Sequence, residues 1–68
     1  MTRLRINGVE AEVVVTTIAE LLAERGIDPK ARFLAVAVNG AVVRRAKWPD
    51  VALSSGDAVE IVRPLQGG

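Results

Sequence analysis

Two Asn-Gly dipeptides, Asn7-Gly8 and Asn39-Gly40, each sit between runs of apolar residues. Both residues of such a pair accept positive φ, which the tight two-residue turn of an antiparallel hairpin demands, so each dipeptide predicts that the chain folds straight back on itself. Before the first turn, Leu4 and Ile6 alternate with Arg3 and Arg5. After it, "VEAEVVV" places Val9, Ala11, Val13 and Val15 inward and leaves Glu10 and Glu12 in water. The arginines and glutamates are then near enough for cross-strand pairs, each worth about tenths of a kcal/mol. Ahead of the second turn, residues 33–38 read as a buried strand. Its larger face is Leu34, Val36 and Val38, and its other face is Phe33, Ala35 and Ala37. "AVV" is the returning partner.

Between the hairpins, "TIAELLAERG" predicts a helix. Thr17 and Glu20 have capping-box spacing, the hydroxyl accepting from the third helical amide and the carboxylate reaching back. Ile18, Leu21 and Leu22 form one apolar stripe, Gly26 supplies the left-handed residue that ends the helix, and Ile27 tucks under that end. Asp28-Pro29 marks a turn. After the second hairpin, "RRAKWPD" leaves the sheet as a loop around Pro49, in which Trp48 reads either as a packing residue or as part of a docking surface. "SSGD" then turns into a last strand, Ala58–Val62, with Val59 and Ile61 inward. Two hairpins, a helix after the first and a final strand make an α+β chain of ββαββ order, a mixed sheet with one main helix on one face. This is the β-grasp arrangement, and the last strand is expected parallel to the first.

Chemistry is limited by what is missing. The 68 residues contain no cysteine and no histidine, which removes a thiolate nucleophile, a disulfide framework, the usual zinc ligands and an imidazole base. Ser54 and Ser55 have no base beside them, and the carboxylates form no recognisable acid/base pair. A single domain of this length gains about 3–5 kcal/mol from its core, too little to support a deep catalytic cavity. The chain is therefore expected to be acted upon and not to be an enzyme. A formal charge of +1 leaves no footprint for nucleic acid. "RRAK", with Arg44, Arg45 and Lys47, reads as a solvated loop or as a contact for an acidic partner or nucleotide. No apolar run is long enough to span a bilayer, and no secretion signal opens the sequence. A soluble, cytoplasmic protein, monomeric when free, is expected.

The sequence closes on "RPLQGG", and this ending, together with "VNG", the basic stretch before Trp48 and "LSSGDAVEIV", resembles the ThiS family, the sulfur carriers of thiamine biosynthesis. The resemblance covers nearly the whole chain and implies a ubiquitin-like β-grasp domain over residues 1–63, with a flexible tail over 64–68. It also implies that a separate ubiquitin-activating-like enzyme uses ATP to adenylate the carboxylate of Gly68. A sulfur donor system, a cysteine desulfurase or its equivalent, would then convert that group to a thiocarboxylate for thiazole synthase. No bound cofactor is implied. The tail has a physical reading beside this one: Gly67 and Gly68 lack Cβ and fit a narrow channel, with Pro64, Leu65 and Gln66 threading behind them. Extended, the residues from Arg63 onward reach about 20 Å into a partner. The partner surface is expected on the sheet face away from the helix, where Phe33, Ala35, Ala37 and Val62 make an apolar patch, with Trp48 as a further candidate.

Other roles fit the same residues. The small sulfur-carrier subunit of molybdopterin synthase shares the fold and the Gly-Gly ending, though its ending more often carries a double proline where this chain has Pro64 alone. A ubiquitin-like protein modifier, and a non-covalent β-grasp interaction module in which the glycines are incidental, complete the set.

Overall fold

The computed structural model describes residues 1–63. Strand β1 (Thr2–Ile6) pairs antiparallel with β2 (Val9–Val13), Leu4 opposite Ala11 and Ile6 opposite Val9. Asn7 at φ 50° and Gly8 at φ 83° make the reversal. The same pair at Asn39 and Gly40, φ 52° and 85°, joins β3 (Ala35–Val38) to β4 (Ala41–Val43). Strand β5 (Ala58–Val62) lies in the middle, parallel to β1 and antiparallel to β3, so the sheet order is β2-β1-β5-β3-β4. The mixed β-grasp sheet is as expected. Its element order is ββαβββ and not ββαββ, since two hairpins and a final strand together make five strands.

Helix α1 (Ile18–Glu24) is satisfied at both ends. Glu20 N–H donates to the Thr17 hydroxyl at 3.2 Å, while the free amides of Ile18 and Ala19 reach the carbonyls of Val51 and Trp48 at 3.3 and 3.1 Å. These are amides that an isolated helix leaves unpaired. The Glu20 carboxylate reaches back past the N-cap to Thr16, accepting from its N–H at 2.7 Å and its hydroxyl at 2.9 Å. Those donations, the amide first, hold its pKa below the usual carboxylate value. At the other end Gly26, φ 71°, donates to Ala23 and Ile27 to Leu22, at 3.1 and 2.9 Å. That pattern is a Schellman motif, and the buried Ile27 supplies its apolar contact.

Ile18, Leu21 and Leu22 pack into one cluster with Leu4, Ile6, Val36, Val59 and Ile61. Each large side chain so buried contributes about 1.5–3 kcal/mol relative to exposure. Three expectations are corrected. Val9 is exposed although it has inward parity, because it sits at the hairpin end with only Ile6 across from it. The strand expected over residues 33–38 starts at Ala35; Phe33 lies outside the sheet in the left-handed region at φ 63°. Trp48 is buried at 2% exposure and donates its ring N–H to Val43 O at 2.9 Å, so it is a core residue and offers no docking surface.

"RRAK" is not a plain solvated loop either. Residues Arg45–Lys47 form a turn of 3₁₀ helix, and the Arg45 guanidinium donates to the carbonyls of Pro29, Ala31 and Leu34. It also lies over the Trp48 ring, 5.1 Å from the centroid. Carbonyls satisfy a guanidinium without any acidic partner, and the aromatic face adds a cation–π contact. The segment between β2 and β3 is thereby tied to the segment between β4 and β5.

Candidate functional site

The helix covers one face of the sheet and leaves the other open. The buried Val36 on β3, with the buried Leu34 just before the strand, fixes Ala35 and Ala37 on the opposite face. Cross-strand register then places Val62 beside Ala35, and Val42 and Glu60 beside Ala37. Val42 and Val62 are largely exposed. The β3, β4 and β5 half of this face is thus an apolar strip interrupted by Glu60. Across the sheet the open face is charged: Arg3 lies 3.8 and 3.7 Å from Glu10 and Glu12, and Arg5 lies 3.6 Å from Glu10. Exposed pairs of this kind add little stability, about 0–1 kcal/mol. They leave that half of the face polar and exposed.

The strip ends at the root of the C-terminal segment. Strand β5 delivers Arg63 there, and hairpin asparagines hold its main chain on both sides. Asn39 Oδ1 accepts from Ala58 N–H at 2.9 Å, and the Asn7 amide bonds the main chain of Ile61. Beside Arg63 opens a cleft of about 550 Å³ lined by Ile27, Asp28, Arg32, Phe33 and Leu34 among others. A smaller hollow of about 120 Å³ adjoins it, sharing Ile27 and Arg63 and adding Arg25. Asp28 is already engaged, its carboxylate accepting from Lys30 N–H at 2.9 Å. Arg25, Arg32 and Arg63 make no ion pair among the described residues.

Of the expected partner surface, Ala35, Ala37 and Val62 share the open face. Phe33 is exposed but stands at the cleft beside the sheet. Trp48 belongs to the core. Pro64, Leu65, Gln66, Gly67 and Gly68 lie outside the described residues. Sequence reasoning missed Val42, although the register was available: a two-residue turn at Asn39-Gly40 pairs Ala37 with Val42, so an outward Ala37 carries Val42 with it. It also missed Arg32 and the clamp made by Arg45. No local pattern marks either of these.

The family model described as the ThiS family matches residues 4–68. Among the solved structures similar to the chain are two of thiamine biosynthesis proteins. The crystal structure of the thiamine biosynthesis protein (ThiS) from Geobacter metallireducens is 28% identical with a TM-score of 0.79, covering 98% of this chain and 100% of that one. The solution structure of a thiamine biosynthesis protein from the same organism is 28% identical with a TM-score of 0.78, covering 98% of this chain and 88% of that one. No curated protein matches the sequence.

Proposed function

The chain belongs to the ThiS family, and on that premise we propose that it is a sulfur carrier of thiamine biosynthesis whose reacting atom is the C-terminal carboxyl carbon of Gly68. The observation that carries the reading is the reach of the family match, which runs from the first strand through "RPLQGG" to Gly68. The β-grasp body and the likeness to thiamine biosynthesis proteins support it.

The chemistry asks for activation by another enzyme. An α-carboxylate, with a pKa of about 3.3–3.7, is ionised at neutral pH, repels nucleophiles and offers no leaving group. In the partner enzyme a Gly68 carboxylate oxygen attacks the α-phosphorus of ATP and pyrophosphate leaves, giving an acyl adenylate. The terminal sulfur of a persulfide on a cysteine desulfurase or equivalent donor then adds to the acyl carbon and AMP departs, leaving an acyl disulfide. A thiol of the partner proteins attacks the donor's sulfur of that S–S bond and forms a disulfide with it, and the sulfur left on Gly68 is a thiocarboxylate, which thiazole synthase consumes. None of these steps draws an acid, base or metal from the chain itself.

Threading and docking are separate tasks in this reading. Gly67 and Gly68 enter the narrow activating site, Leu65 and Gln66 follow, and Pro64 restricts the root. The strip of Ala35, Ala37, Val42 and Val62 seats the body against the partner. Removing Gly68 tests the account: the shortened chain, expressed in a thiamine auxotroph lacking its own carrier, is expected not to restore growth. Growth equal to that given by the full chain would sink the proposal.

A further inference from the structure

Phe33 combines three properties that rarely coincide. Its backbone is in the left-handed region at φ 63°, the residue is 79% exposed, and its loop is held from across the fold. A bulky residue at positive φ costs about 1–2 kcal/mol, and an exposed ring returns nothing to the core. Strain of this sort persists only where the surroundings impose it, and it gathers at functional positions. Here Arg45 imposes it: the guanidinium gathers the carbonyls of Pro29, Ala31 and Leu34 on both sides of Phe33, and is itself fixed over Trp48.

The chemistry of the cleft indicates what the ring meets. Arg32 and Arg63 line it with Phe33, and Asp28, the one carboxylate among its described lining residues, is turned onto its own loop. An apolar ring flanked by guanidinium groups that make no ion pair among the described residues complements a segment that carries both a carboxylate and an apolar side chain. Position narrows the choice further. Arg63 lines the cleft and directly precedes Pro64, so a protein that takes in the tail engages the chain next to a residue of this cleft.

We propose that Phe33, with Arg32 and Arg63, is a docking anchor for an acidic, apolar segment of the enzyme that activates Gly68, and that Arg45 is the positioning residue that presents it. This rests on the proposed function, and it adds an anchor outside the sheet face.

The test uses the full chain with the activating enzyme of its own organism. ATP–pyrophosphate exchange is followed against carrier concentration, and binding is measured in parallel by fluorescence titration. Phe33→Ala is expected to raise the KM for the carrier about tenfold, with kcat within about twofold. Arg32→Glu is expected to do the same and to flatten the salt dependence, while Glu12→Gln on the far half of the sheet leaves both constants alone. Phe33→Gly separates docking from folding: relief of strain is expected to raise the Tm by about 4 °C while the KM rises as for alanine. Arg45→Lys is expected to raise the KM in native Phe33 but not in the Phe33→Gly background. A KM within about twofold of native for both Phe33 variants would overturn the proposal. If the native chain binds but is not adenylated, the function reading fails, and the same comparison of Kd values still decides the anchor; a native chain that does not bind overturns both.

Discussion

The side-chain amide of Asn7 and the main chain of Ile61, 54 positions apart, bond in both directions: Nδ2 donates to Ile61 O at 3.2 Å, and Oδ1 accepts from Ile61 N–H at 2.8 Å. Strand β1 ends at Ile6, and the ladder to β5 on that side closes with Asn7 N–H donating to Val59 O at 2.9 Å. The Asn7 side-chain amide carries the pairing on to Ile61. It is therefore a turn residue and a ladder residue at once, and the two roles separate by substitution. Asn7→Gly keeps the positive φ and loses both bonds, for an expected cost of about 1–2 kcal/mol. Asn7→Ala adds the left-handed penalty of about 1–2 kcal/mol. Urea denaturation should rank the stabilities Asn, Gly, Ala in falling order, and a glycine variant as stable as native would contradict the ladder role.

Trp48 should behave as a core residue. Trp48→Phe retains most of the apolar surface but leaves Val43 O without its 2.9 Å donor, an expected loss of about 1–2 kcal/mol. Trp48→Ala removes about 3–5 kcal/mol, as much as a core of this size supplies, so far-ultraviolet circular dichroism should show an unfolded chain at 25 °C.

Glu20 gives the helix N-terminus a pH dependence. Its folded pKa is depressed by the Thr16 amide and hydroxyl, so its contribution is present above the unfolded pKa and is lost as pH falls through the lower, folded value. Thermal unfolding between pH 6 and about pH 3 should therefore fall more steeply for the native chain than for Glu20→Gln. Parallel curves would contradict the linkage.

The open sheet face should tolerate charge in folding but not in docking. Ala37 and Val42 are cross-strand neighbours there, and Val42→Lys should change stability by no more than about 0.5 kcal/mol. The same variant is expected to raise the carrier's KM with the activating enzyme. An unchanged KM would remove this strip from the partner surface.

What the sequence disclosed was local in origin. The Asn-Gly turns, the Thr17 cap and the Gly26 stop each depend on residues a few positions apart, and each is where the pattern put it. Phe33 misled because its alternation with Leu34 and Ala35 has strand period, while the tertiary clamp from Arg45 sets its backbone. Nothing near Arg45 announces carbonyls 11 to 16 positions away. Trp48 was open to two readings because aromatic residues serve cores and interfaces equally well. In the candidate site, the parity of Ala35 and Ala37 followed from their apolar neighbours, whereas the cleft at Arg63 arises only once β5 lies between β1 and β3.

The most direct measurement is the intact mass of the chain isolated untagged from its own cells grown without thiamine, with the C-terminal peptide fragmented to place any change. Replacement of one oxygen by sulfur, confined to Gly68, is the predicted result. A carboxylate left unmodified at Gly68 under those conditions, or a branched conjugate to a lysine, would contradict the carrier role.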